Sequence, residues 1–264
     1  MTTLRDLHAP GEFLILPNAW DAGSARIIES AGAKAIATSS AAVAWANGYP
    51  DGDAFPPHLL IRVIESITRA IGIPLSVDVE GGYSSDPATV GRNIFDFVSA
   101  GAVGINLEDG TGSPDLLCAK IEAAKEAAAR AGVDLFVNAR VDVLLKKLVP
   151  RENAIEEGLA RASRYRAAGA DGIFMPMLSD PDEVRTVAGA IDPLPLNVMA
   201  IPGLPPAMEL RGLGARRLSA GAAIARASIG LTKKLAADFL ANGASDAVYS
   251  HVTDKTDMNA LFAR

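Results

Sequence analysis

Short apolar runs alternate with longer, Ala-rich stretches along the chain. Runs of strand length fall at 13–17, 34–39, 74–79, 102–107, 133–139, 172–176, 195–199 and 217–220. Helix-length stretches lie between them, at 21–31, 57–71, 87–100, 117–131, 151–168, 181–190, 205–213 and 222–241. One junction recurs as Ser30-Ala31-Gly32-Ala33, Ser99-Ala100-Gly101-Ala102, Ala167-Ala168-Gly169-Ala170 and Gly212-Leu213-Gly214-Ala215. A glycine suits the left-handed residue just past a helix C-terminus, and each junction is followed within a few residues by an apolar run. Asp86-Pro87 and Asp180-Pro181 set a capping acid before a proline at the first helical position, and Glu183 adds a capping-box-like pattern. Ile155, Leu159 and Ala162 form an apolar stripe at helical spacing. Helix, glycine stop and strand in repetition predict parallel strands joined by crossover helices.

The chain has 264 residues, close to the ~250 typical of an eight-fold β/α barrel. No Gly-x-Gly-x-x-Gly follows the first strand, as a dinucleotide-binding open sheet would require. The expected fold is therefore α/β, a (β/α)8 TIM barrel spanning 1–264 as one domain. Residues 243–264 form a C-terminal extension, with Leu261 and Phe262 placed to pack on a neighbouring subunit. Aromatics are only 5% of the chain, which favours helix-on-sheet packing over an aromatic all-β core. A net charge of −6 speaks against nucleic acid as the main partner. The single Cys118 rules out an intramolecular disulfide. No stretch reaches membrane-span length and the start lacks a signal-peptide pattern, so a cytoplasmic protein is expected.

Residues 74–83, Pro-Leu-Ser-Val-Asp-Val-Glu-Gly-Gly-Tyr, organise the candidate chemistry. Side chains two apart on a strand share a face, so Asp78 and Glu80 are expected to look into one space. The next strand ends in Glu108-Asp109. In β/α barrels the active site sits at the C-terminal ends of the strands. Asn18 and Asp21, Thr38-Ser39-Ser40, Asn138-Ala139-Arg140 with Asp142, and Asn197 fall at the same ends. Such convergence points to a site.

Magnesium prefers oxygen ligands and keeps several waters, which suits Asp78, Glu80 and Glu108 on adjacent strands. Zinc is disfavoured, since only His8, His58 and His251 are available and none pairs with Cys118 at ligand spacing. The alternative role for Asp78 or Glu80 is a helix cap or a pair with Arg140. Arg140 offers a planar fork to a carboxylate or phosphate, against the alternative of an ion pair with Asp142. Ser39, Ser40 and the amides after them can grip further anionic oxygens. Metal, arginine and an amide cradle together describe a site for a small 2-oxo acid or dicarboxylate, with an enolate stabilised where its charge develops.

Leu14–Ala25 (LILPNAWDAGSA), Ala35–Ala41 (AIATSSA), Gly48–Asp51 (GYPD), Ser76–Tyr83 (SVDVEGGY), Asn106–Gly110 (NLEDG) and Asn138–Asp142 (NARVD) together resemble the isocitrate lyase/phosphoenolpyruvate mutase superfamily. The resemblance implies a β/α barrel, commonly a tetramer exchanging its last helix, that binds Mg²⁺ and a 2-oxo acid and makes or breaks a C–C or P–C bond. It places the direct metal ligand on Asp78, with Glu80 and Glu108 outside it. It also implies substrate contacts at Ser39, Ser40 and Ala41, an anion-holding Arg140 and a substrate- or metal-facing Asp51. The chain departs from the lyase pattern in having Gly110-Thr111-Gly112-Ser113-Pro114-Asp115 where the lyases carry a Cys-Gly-His loop. Cys118 reads as a small buried hydrophobe instead. Tyr83, Tyr49 and His58 are the remaining proton-donor candidates. Asn18, Trp20 and Asn197 are candidate substrate contacts, and Trp20 and Trp45 suit a pocket wall or the core.

The expected function is a Mg²⁺-dependent C–C lyase or decarboxylase acting on a small 2-oxo acid, as a homo-oligomer. Phosphonate P–C chemistry is the second reading, because a mutase needs a lid over its intermediate and the loop here is short. A 2-oxo acid binder without turnover is the third.

Overall fold

The computed structural model describes residues 2–252 and 256–263. Nine strands run parallel: β1 Leu14–Leu16, β2 Asn18–Ala19, β3 Ile36–Thr38, β4 Leu75–Asp78, β5 Gly104–Glu108, β6 Phe136–Arg140, β7 Gly172–Phe174, β8 Leu196–Met199 and β9 Arg217–Ser219. β1 and β2 are one strand broken at Pro17, which has no amide hydrogen to give to a ladder. β1 pairs with β9 and β2 pairs with β3, so the two halves bring the sheet round into a nearly closed barrel. The eight strands expected from the sequence are all present, and the structure is a (β/α)8 TIM barrel.

Helices α1 (Ala22–Ser30), α2 (Ser40–Ala46), α3 (Pro57–Ala70), α4 (Pro87–Ser99), α5 (Pro114–Arg130), α6 (Val143–Lys146), α7 (Ala154–Ala167), α8 (Pro181–Ile191), α9 (Ala207–Gly212), α10 (Ala223–Asn242), α11 (Ser245–Tyr249) and α12 (Met258–Phe262) complete the described chain. Two of them, α2 and α6, are additions at the C-terminal face that the periodicity did not reveal. Asp86 accepts from the Ala88 and Thr89 amides and Asp180 from those of Asp182 and Glu183, as their caps predicted. Glu183 does not reach back to complete the box. Its carboxylate takes the Arg151 guanidinium at 2.6 Å.

Strand alternation divides the interior in two. Ile36, Val77, Ile105, Val137, Ile173 and Val198 point outward into the main core between sheet and helices. Leu14, Leu16, Ala35, Ala37 and Phe136 point into the barrel and meet Leu4 of the N-terminal segment, which stoppers that end. Above this apolar floor the barrel turns polar: Asn106, Asn138, Asn197 and Arg217 are all buried inside it. Leu261, expected against a neighbouring subunit, accepts a hydrogen bond from Arg26 Nε of α1 through its carbonyl at 2.9 Å. Phe262 stays 42% exposed.

Candidate active site

The C-terminal face holds a cavity of about 500 Å³, within the range usual for small-molecule sites. Its polar wall is made by Asn18, Ser39, Ser40, Asp51, Asp78 and Arg140, with Ala41 beside them. Six of the sequence-predicted residues beyond Asp78 thus share one space with it. Leu145, Phe174, Pro176, Met199, Ile201 and Pro202 give the facing, largely apolar wall.

Asp78 is the last residue of β4, and its amide donates to Thr38 Oγ1 at 2.8 Å. Helix α2 begins on the neighbouring strand end, with Ser39 as N-cap accepting from the Ala42 amide. The Ser40 amide points at Asp78 Oδ2, 3.2 Å away. A carboxylate at a helix start is favoured by the free amides and by the dipole. The alternative reading of Asp78 as a helix contact is therefore present too, and both leave it facing the cavity.

Glu80 does not follow the two-residue alternation expected of it. The strand ends at Asp78, and Glu80 takes a φ of 50°, which turns its side chain away from the cavity toward the Asp53 amide. Lys120 Nζ donates to the next carbonyl, Gly81, at 2.6 Å, holding the turn. Glu80 Oε1 is buried with no partner among protein atoms. Burial, with the charges of Asp53, Asp78 and Asp51, pushes the Glu80 carboxyl up to about 7 against the Asp53 hydrogen bond.

Arg140 has the predicted ion pair with Asp142, but its second partner is Glu108 and not Asp78 or Glu80. Nη1 meets Glu108 Oε2 at 2.6 Å, and Nε and Nη2 bond the two Asp142 oxygens at 2.7 and 3.1 Å. Burial works against its charge, but Glu108, Asp142 and Asp78 hold its pKa above the ordinary arginine value. Burial also pushes Glu108 up to about 8, with Arg140 opposing and Asp142 and Asp78 adding to the rise. Asp109 belongs to another network, accepting from Arg161, Tyr165 and the Asp142 amide.

Three predicted contacts lie elsewhere. Asn197 is 1% exposed inside the barrel, where it bonds Val198 O, Ser219 Oγ and Asn138. Trp20 packs against the main core and does not line the cavity. Tyr83 sits behind the β4 turn, edge-on to Phe97 at 6.3 Å between ring centres. Burial and the nearby acids raise its pKa further above the ordinary tyrosine value, which disfavours ionisation. Cys118 lies on α5 outside the cavity, its thiol pushed up by burial.

Sequence reasoning missed Asn106, Arg217 and Arg226. Asn106 lines the cavity and accepts from Arg217 Nη2 at 3.2 Å. Arg217 is fully enclosed, with Nε and Nη1 unpartnered among protein atoms, and burial pushes it down to about 9 while Asp78 opposes the shift. Its inward position on an apolar strand was the available signal. Arg226 lines the cavity from the first turn of α10, with its guanidinium 5.0 Å above the Trp45 ring.

The donors around Asp78 are oxygens, and the buried, unpartnered Glu80 Oε1 lies two residues away. Among the described residues, no three His, Cys, Asp or Glu side chains stand together as a ready-made metal cage. This donor set fits a hard cation that takes few protein ligands and retains its waters, as Mg²⁺ does.

A parallel barrel with acids, an arginine and a helix start gathered at its strand ends defines the class of β/α-barrel enzymes. The chain belongs to the phosphoenolpyruvate phosphomutase family, whose model matches residues 4–240. An uncharacterised protein of Mycobacterium tuberculosis is 38% identical over 228 residues, 83% of this chain and 81% of that one. A crystal structure from Burkholderia cenocepacia J2315, provisionally named a phosphonomutase, is 42% identical with a TM-score of 0.83, covering 89% of this chain and 96% of that one. An oxaloacetate decarboxylase of Paraburkholderia xenovorans is 29% identical over 213 residues, 75% of this chain and 68% of its own. The family thus includes carbon–carbon lyases and mutases, and this chain is one of its enzymes.

Proposed function

We propose that the protein is a Mg²⁺-dependent lyase or decarboxylase of a small 2-oxo acid. The observation that carries this reading is Asp78, turned into the cavity beside the first amides of α2. Mg²⁺ held at Asp78, with Glu80 and Glu108 behind it, would supply positive charge where an enolate oxygen develops. The Ser40 and Ala41 backbone and the Ser39 and Ser40 hydroxyls orient the substrate carboxylate at the helix start. Asn18 and Asn106 add neutral polar contacts beside them.

In a decarboxylation, the bond between C3 and its carboxylate breaks and CO₂ leaves. The electron pair passes to the enolate, and a proton then returns to C3. Asp51 is suited to handle that proton, because it lines the cavity and has no hydrogen-bond or ion-pair partner among the described residues. Tyr83 is not used in this scheme. Arg140 fixes Glu108 and the β6 end, and its charge faces the cavity across them. The short turn between Asp109 and α5 favours chemistry that needs little cover over phosphonate transfer.

Calorimetry with oxalate, a stable mimic of a 2-oxo acid enolate, tests the reading. Oxalate is expected to bind only with Mg²⁺, and Asp78→Ala to weaken binding by about a hundredfold or more. Metal-independent binding, or an unaffected Asp78→Ala variant, would sink it. A product assay on oxaloacetate separates turnover from binding alone.

A further inference from the structure

We propose that Arg217 is a positioning cation beneath the cavity floor, which strengthens the site's hold on an anionic substrate and weakens its hold on the bare metal ion. The inference rests on the cavity being a Mg²⁺ and 2-oxo acid site. Arg217 opens β9, level with Leu14 of β1 and Asn197 of β8, and its side chain is buried inside the barrel. Among the described residues the guanidinium makes one hydrogen bond, from Nη2 to Asn106 Oδ1 at 3.2 Å, and has no ion-pair partner. Taking an unpaired cation out of water is costly. One neutral hydrogen bond returns little of that cost to the fold, so the charge needs another explanation.

Across that bond lies the candidate site. Asn106 lines the cavity and stands beside Asp78 in the ladder between β4 and β5. Asp78 is also the acid whose charge opposes the burial of Arg217. The guanidinium is pushed down only to about 9 and keeps its proton at neutral pH. Asn138 Nδ2 donates to the same Asn106 oxygen at 2.8 Å. Two donors on Oδ1 fix the orientation of the Asn106 amide. Its Nδ2, which bonds no protein atom among the described residues, is the end left for the cavity. Arg217 thus brings a charge and an oriented N–H to one spot next to Asp78.

The sign of the effect follows from the charge. At Asp78, Arg217 repels an incoming Mg²⁺ ion and attracts the carboxylate or enolate that follows it. Even about 10 Å apart, at an effective dielectric of about 20, two unit charges shift an equilibrium by about tenfold. Arg140 does not duplicate this role, because Glu108 and Asp142 flank its guanidinium and largely neutralise it. Burial also shields the Arg217 charge from salt, unlike a charge on the rim.

Calorimetry on the full chain tests the proposal, first with Mg²⁺ alone and then with oxalate at saturating Mg²⁺. Arg217→Met removes the charge, and Arg217→Gln removes it while keeping a donor for Asn106. In both variants Mg²⁺ is expected to bind about tenfold tighter and oxalate about tenfold weaker. Both differences should persist in about 0.5 M salt. A role confined to folding or packing would not move the two affinities in opposite directions. Shifts of like sign, a shift for one ligand only, or unchanged affinities in folded variants would overturn the proposal. So would an Arg217→Gln variant that behaves as wild type, since the hydrogen bond and not the charge would then matter. If Arg217→Met does not fold, Arg217→Gln decides, and loss of the fold in both makes the residue structural and ends the proposal. If wild type binds oxalate without metal, the Mg²⁺ reading falls, while loss of that oxalate affinity in both variants upholds the role of Arg217. A wild type that binds neither ligand would overturn both.

Discussion

Asp51 and Asp78 face one cavity, but only Asp78 is fastened by backbone amides. Under the proposed function, this difference would give them separate tasks, one holding charge and the other exchanging a proton. Asp51→Asn is expected to lower oxaloacetate turnover by about 10²–10⁴-fold while oxalate still binds with Mg²⁺. Loss of oxalate binding in that variant would instead place Asp51 in the binding shell. His8 provides a test far from this chemistry. It stacks on Phe136 at 4.3 Å, donates from Nδ1 to the Leu4 carbonyl at 2.7 Å, and burial with the charge of Arg217 pushes it down to about 3. A histidine kept neutral in the fold but free to protonate when unfolded costs stability as pH falls below its ordinary 6.5. Between there and about pH 4.5 the cost approaches roughly 2–3 kcal/mol. Thermal melts of wild type and His8→Phe should therefore converge, or cross, on acidification, and parallel pH profiles would refute the assignment. At this scale Asp78, Ser39 and Ser40 were legible as cavity-facing because short polar residues at strand ends are conspicuous, while Ala41 and Asp51 came only with the family resemblance. Arg226 and Arg217 were hidden, since a guanidinium's reach depends on the packing of distant elements.

The β4–α4 turn shows how an element directs its side chains. Gly82 has φ 85°, and a Cβ there would come within 2.7 Å of Val90 Cγ1. Gly82→Ala is expected to cost about 2 kcal/mol or more through left-handed strain and overpacking, read as a lower denaturant midpoint. A neutral result would mean that the turn relaxes freely. The same turn explains the misplacement of Glu80 in the sequence reading: strict alternation holds only while the strand continues, and Gly81-Gly82 marked its end. Helix α2 escaped notice for a different reason. Its seven residues, Ser-Ala-Ala-Val-Ala-Trp-Ala, are small and apolar on nearly every side, so they give no 3.6-residue stripe. The longer helices, with caps and glycine stops, were legible to within about three residues, α5 and α7 being the ones whose starts were misplaced.

For the whole molecule, the barrel was legible because eight alternations and their Gly stops repeat one physical unit. What lies outside the barrel was not. Among the described residues, no helix is long and apolar enough to cross a membrane, yet Ile229, Leu231, Phe239 and Leu240 of α10 are 43–85% exposed. An apolar surface of this kind marks an interaction face, and a second copy of the chain is the occupant expected from the sequence. Light scattering should find an oligomer that Phe239→Glu with Leu240→Glu shifts to smaller species, and a wild-type monomer would end that expectation. The break at Pro17 bears on how the chain is made. β1 waits for β9 at Leu14–Arg217, and Asn18 Oδ1 accepts from the Ala220 amide, 202 positions away. During translation the growing sheet therefore keeps two bare edges until nearly all its strands have left the ribosome, and strand edges left bare invite pairing with other chains. Nascent chains stopped before Arg217 should depend most on chaperones, and release of the last strand should end that dependence.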